Sequence, residues 1–215
     1  MLKILGLELD WVTIFEIIGT IAFAASGADV AIKKKMDLFG ITVLGVTTAV
    51  GGGIIRDIIL NKDELTAFTS PIYITLAIAA SIITFLLKNK RIIDVDSKFF
   101  NFVDALGLGV FTIVGSRQAI ELKQITEINA RNVLLIMFTG AITGVGGGII
   151  RDIFANRVPV IFEKNIYALA SVLGTIILML LYRVDIKFAM LIASFTVIMV
   201  RILSIKFNVS LPKPK

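Results

Sequence analysis

The sequence predicts an all-α integral membrane protein, with seven transmembrane helices arranged as two inverted three-helix repeats plus a seventh helix. Three observations predict it. Apolar residues make up 57% of the chain and charged residues 18%, with a mean hydropathy of +0.93, leaving too little polar surface to coat a water-soluble globule. The apolar residues gather into seven runs bounded by charge, each near the length a helix needs to cross ~30 Å of hydrocarbon. Finally, the octapeptide GGGIIRDI at 51–58 recurs letter for letter at 146–153.

In chain order the runs are approximately 12–32, 38–60, 71–87, 101–120, 133–154, 165–182 and 187–205. The third and sixth are short enough to stand nearly upright or to be buried against neighbours. Interior Gly, Ser and Thr suit close helix packing in lipid. The runs are too continuous for the alternating pattern of a membrane β-barrel.

The repeat extends beyond the octapeptide. AVGGGIIRDIILNK (49–62) aligns with GVGGGIIRDIFANR (144–157), and Glu16, Phe23 and Gly27 match Asp104, Phe111 and Gly115. Tyr73 and Tyr167 fall at nearly the same spacing. One transmembrane domain, 1–215, thus contains repeat one at about 12–87, repeat two at about 101–182 and an additional helix at about 187–205. Three spans per unit is an odd number, so the second unit enters the bilayer from the opposite face, about a pseudo-two-fold axis in the membrane plane.

Charge and composition then bound the function. The net charge of +6 comes from Lys and Arg lying largely between the apolar runs, where it reports orientation and implies no nucleic-acid site. Lys33–Lys35, Lys88, Lys90, Arg91, Lys164, Lys213 and Lys215 load one side, which places the N-terminus outside and the C-terminus in the cytoplasm. Glu8 and Asp10 argue against a removable signal peptide. Without Cys or His, the chain has no disulfide, thiolate, imidazole base or ordinary zinc site. The expectation is no enzyme, no cofactor and no fixed metal.

The candidate site residues come from the duplicated motif. Gly51, Gly52 and Gly53, with Gly146, Gly147 and Gly148, weaken the helix locally and expose carbonyls that could solvate a passing cation. The competing reading is close helix packing. Beyond them, Arg56, Asp57, Arg151 and Asp152 sit in gating or constriction positions. Matched depth pairs Arg56 with Glu16 and Arg151 with Asp104, since an isolated charge in the apolar zone is costly. The alternative has both arginines reaching the headgroups and both aspartates capping loops. Asp29 and Glu121 read as interfacial residues, Lys33–Lys35 as an anchor to anionic lipid heads, and Arg201 as the cytoplasmic end of an otherwise apolar helix.

With the duplicated glycine motifs, the seven-span count and FAASGADVAIKKKMDLFG (23–40), the sequence resembles the prokaryotic members of the TRIC family, the trimeric intracellular cation channels. The resemblance covers nearly the whole chain. It implies a homotrimeric monovalent-cation channel, mainly for potassium with some sodium permeability, in a prokaryotic plasma membrane. It further implies an hourglass pathway inside each protomer, shaped by kinks at Gly51–Gly53 and Gly146–Gly148. The charged motif of the animal members is absent, so their lipid regulation is not carried over. A secondary transporter of a small solute, such as glycine, remains the alternative, because inverted repeats with interrupted helices also serve alternating access.

Overall fold

The computed structural model describes residues 3–4, 7–8, 10–89, 97–127, 129–163 and 166–209. Lys90, Arg91, Lys164, Lys213 and Lys215, used above to orient the chain, lie outside these residues. Besides helices and their connections, the described chain holds one antiparallel pair of two-residue strands, β1 (Lys3–Ile4) and β2 (Leu7–Glu8).

The long helices are α1 (Trp11–Lys33), α2 (Leu38–Ile59), α4 (Pro71–Asn89), α5 (Ser97–Leu122), α6 (Ala130–Phe154) and α9 (Ile186–Lys206). All six are long and apolar enough to cross a membrane. The seventh, α8 (Ala168–Leu181), is shorter than the 165–182 run from which it was expected. At 1.5 Å per residue it reaches only about 21 Å. Two four-residue helices, α3 (Thr66–Thr69) and α7 (Val160–Glu163), follow α2 and α6 and were not anticipated.

Local chemistry sets the ends. Asp10, Asp37, Asn129 and Asp185 each accept a backbone N–H three residues on, capping α1, α2, α6 and α9, which satisfies donors a helix start leaves open. The two glycine helices stop identically. Asn61 and Asn156 adopt left-handed φ of 51° and 50°. The next amides, of Lys62 and Arg157, then donate back to the Asp57 and Asp152 carbonyls, the left-handed termination that asparagine tolerates.

The two units pack alike and meet face to face. α2 contacts α1 and α4 as α6 contacts α5 and α8, while α1 lies against α5 and α2 against α6. The contacts across the seam are reciprocal. A methyl group on Gly52 would strike the Thr143 carbonyl, and one on Gly147 would strike the Thr48 carbonyl. Likewise Gly51 meets Ile150 and Gly146 meets Ile55. Phe23 packs against its counterpart Phe111 in a tilted pair, with centroids 5.3 Å apart and planes at 48°. Patch i meeting j while j meets i is the signature of two-fold symmetry. α9, with no partner, covers α5 and α8, where Met190, Ala193 and Leu178 are fully buried.

Candidate functional site

Each glycine helix ends in an Arg-Asp pair that the fold turns inward. Arg56 is 1% exposed and Arg151 fully buried, so neither reaches toward headgroups. The Arg56 guanidinium uses all three nitrogens: Nε on Asp57 Oδ1 at 2.8 Å, Nη1 on Glu16 Oε1 at 3.1 Å and Nη2 toward Thr66 Oγ1 at 3.4 Å. Glu16 also accepts from Tyr73 OH at 2.6 Å and from Gln118 Nε2 at 3.0 Å. Four helices therefore converge on one carboxylate.

The second cluster repeats the plan. Arg151 Nε donates to Asp152 Oδ1 at 2.8 Å, and its Nη1 lies 2.6 Å from both Asp104 Oδ1 and Ser26 Oγ. Asp57 Oδ2 accepts the Thr66 amide at 2.8 Å, and Asp152 Oδ2 accepts the Val160 amide at 2.9 Å. Each aspartate thus ties its arginine to the first turn of the short helix that follows. Such pairing offsets the cost of burying charge.

The clusters differ at their edges. Lys62 Nζ donates to Thr66 Oγ1 at 2.8 Å, whereas its counterpart Arg157 donates directly to Asp152, its Nε at 2.9 Å. Phe100 has no aromatic counterpart at Val12, and its ring takes Lys33, Arg151 and Arg157 at 5.4, 4.9 and 5.5 Å. Arg201 of α9, expected at the water interface, is 3% exposed. Its guanidinium lies 4.5 Å from the Tyr167 ring, and its Nε and Nη1 have no hydrogen-bond partner among the described residues.

Both glycine triplets, expected to weaken the helix, lie inside the continuous α-helical runs of α2 and α6. Gly51, Gly52, Gly146 and Gly147 face the opposite helix; at Gly52 and Gly147 any side chain would force the backbones apart, whereas one at Gly51 would meet the movable end of Ile150 and one at Gly146 would press on Gly52 and Ile55. Gly53 and Gly148 instead adjoin their own arginines, whose Nη2 atoms lie 3.7 and 3.5 Å from where a Cβ would be. Beside Gly53 is a cavity of about 30 Å³, lined by Glu16, Thr20, Arg56, Thr66 and Tyr73 among others. The matching crevice at Gly148, lined by Arg151, Asp152 and Tyr167, holds no water-sized space.

Sequence reasoning paired the arginines with Glu16 and Asp104 but assigned no role to Tyr73, Gln118, Ser26, Thr66 or Arg201. The tyrosine match was visible in the repeat. Asp29, read as interfacial, is fully buried between Lys33 Nζ at 2.6 Å and Lys88 Nζ at 3.3 Å, because α4 folds its basic end against α1. Glu121 does face solvent, 2.7 Å from Arg117.

The family model described as Glycine transporter matches this chain twice, over residues 13–89 and 101–183. A solved structure described as the structural basis for conductance through TRIC cation channels is 38% identical, with a TM-score of 0.81 over 94% of this chain and 97% of that one. The chain belongs to the prokaryotic TRIC family. The TRIC orthologue from Rhodobacter sphaeroides superposes with a TM-score of 0.83 at 26% identity, covering 92% of this chain and 98% of its own. The UPF0126 inner membrane protein YadS of Escherichia coli (strain K12) is 35% identical over 92% of this chain and 93% of its own length. The UPF0126 membrane protein YvgT of Bacillus subtilis (strain 168) is 33% identical over 93% and 94%. This TRIC-family chain is accordingly a multi-pass membrane protein.

Proposed function

We propose that this protein is a cation channel, conducting monovalent ions and chiefly potassium, with a path inside each protomer of a homotrimer and the two repeats inverted in a prokaryotic plasma membrane. The observation that carries this reading is the pair of reciprocal Arg–carboxylate clusters flanking the glycine seam, one beside a cavity of about 30 Å³. A water needs roughly 10–15 Å³ by this measure, so the space suits a potassium or sodium ion with a water. The proposed path runs past Gly53 and Gly148, while Gly51, Gly52, Gly146 and Gly147 hold the two helices together. Arg56 and Arg151 form the constrictions, held in place by Asp57, Asp152, Glu16 and Asp104. Its partners in this reading are the ions, membrane lipids and two further copies of the chain, with the N-terminus outside and the C-terminus in the cytoplasm.

The Glycine transporter description supports a second reading, a carrier for a small solute. A cavity this size is too small for a zwitterionic amino acid without a rearrangement. Purified protein in planar bilayers under asymmetric potassium and sodium chloride separates the two. Unitary current steps reversing near the potassium equilibrium potential are expected. Slow, saturable glycine uptake with counterflow, and no unitary steps, would overturn the channel reading.

A further inference from the structure

The repeat-matched charges cancel in each half. The first cluster holds Glu16 and Asp57 against Arg56 and Lys62, and the second holds Asp104 and Asp152 against Arg151 and Arg157. Their surroundings do not cancel. Where the first carboxylate receives the neutral amide of Gln118, the second cluster has Arg201 packed behind Tyr167. Arg201 comes from α9, which has no counterpart in either repeat, so no repeat-matched residue answers it among the described residues of the first half. In addition, Asp63 and Glu64 lie exposed between Lys62 and Thr66, whereas Val158 and Pro159 occupy the corresponding positions after Arg157.

We propose that Arg201 makes conduction directional: a buried positive charge at one end only of a near-symmetric path, opposed by an acidic rim at the other, makes the protein a rectifying channel. This rests on the channel reading above. Tyr167 lines the crevice with Gly148 and Arg151, so one aromatic ring separates the Arg201 charge from the proposed path. A buried charge is little screened by salt, and its field lowers the local concentration of cations. Cations entering from the second-cluster end meet this depletion first. Those entering from the first-cluster end pass an acidic rim that concentrates them. Arg201 acts at a distance, as a specificity-determining residue and not as an ion ligand.

The test is the unitary current–voltage curve of single wild-type channels in dilute symmetric potassium chloride. Because solutions are identical on both sides, any curvature belongs to the protein. Currents of opposite polarity are expected to differ by about twofold, the Boltzmann factor for a unit charge roughly 10 Å away at water-like dielectric. In Arg201→Met the apolar stem can stay packed on Tyr167, and in Arg201→Gln a polar end remains. Both are expected to enlarge the smaller limb and move the ratio toward one, the acidic rim accounting for what remains, with the oligomer's size unchanged. A straight wild-type curve overturns the inference, whatever the variants do. So does wild-type curvature retained undiminished in conducting Arg201→Met channels. Absence of any unitary potassium current from the wild type defeats the channel reading itself, and so the two failures are distinguishable.

Discussion

At the scale of single residues, buried charge dominates. Glu16 receives three donors, and Arg56 keeps only Asp57 and a long contact to Thr66 if that carboxylate is removed. Stranding one member of a buried pair costs roughly 3–5 kcal/mol. Glu16→Ala and Asp104→Ala are therefore expected to lower thermal stability in detergent far more than Asp37→Ala, whose exposed cap contributes about 1 kcal/mol. Equal melting shifts would mean the clusters contribute no more than a surface cap. Glycines in one triplet should likewise separate. Gly52→Ala and Gly147→Ala meet opposing carbonyls and should cost on the order of 1–3 kcal/mol by overpacking. Gly53→Ala finds nothing closer than 3.7 Å, so it should keep the melting temperature and alter unitary current instead.

At the scale of elements, the junctions after α2 and α6 link the helices to the clusters. Asp57 joins the α2 terminus to α3 through the Thr66 amide, and Asn61 makes the left-handed turn between them. Asn61→Gly should be tolerated. Asn61→Val should cost about 1–2 kcal/mol, because a β-branched residue resists positive φ. Asp57→Ala releases the α3 amide, so hydrogen exchange at Thr66 should accelerate while exchange in the middle of α4 stays slow. Unchanged exchange at Thr66 would show that α3 holds by its own contacts. The short α8 depends on its neighbours in another way. Ser171 bonds Thr112 at 3.0 Å and Thr175 bonds Ser116 at 2.9 Å, hydroxyl pairs that compensate for little length with specific contact to α5.

For the whole molecule, the proposed inverted arrangement can be tested directly because the chain has no native cysteine. In intact cells, a membrane-impermeant thiol reagent should label Asp63→Cys, between α2 and α3. Lys34→Cys, between α1 and α2, should react only after permeabilisation. The reverse pattern would turn the protein over in the membrane and exchange the faces assigned to the two clusters. Assembly is a separate matter: native mass measurement in detergent is expected to give three copies of the 23.4 kDa chain.

Hydropathy and repetition alone determined the membrane class, the span order and the two Arg–carboxylate pairings, because a low-dielectric solvent punishes any unpaired charge and a duplicated sequence must fold twice alike. Tertiary structure decided what each glycine does. Adjacent helical positions point about 100° apart, so Gly52 touches the opposite backbone while Gly53 borders a cavity, a distinction invisible in three identical letters. It also decided the company of Arg201 and Asp29. Both stand near helix ends and read as interfacial, yet α9 delivers one to Tyr167 and α4 closes its lysine over the other. Depth along a helix is written in sequence, but which neighbour covers that depth is set only when the helices pack.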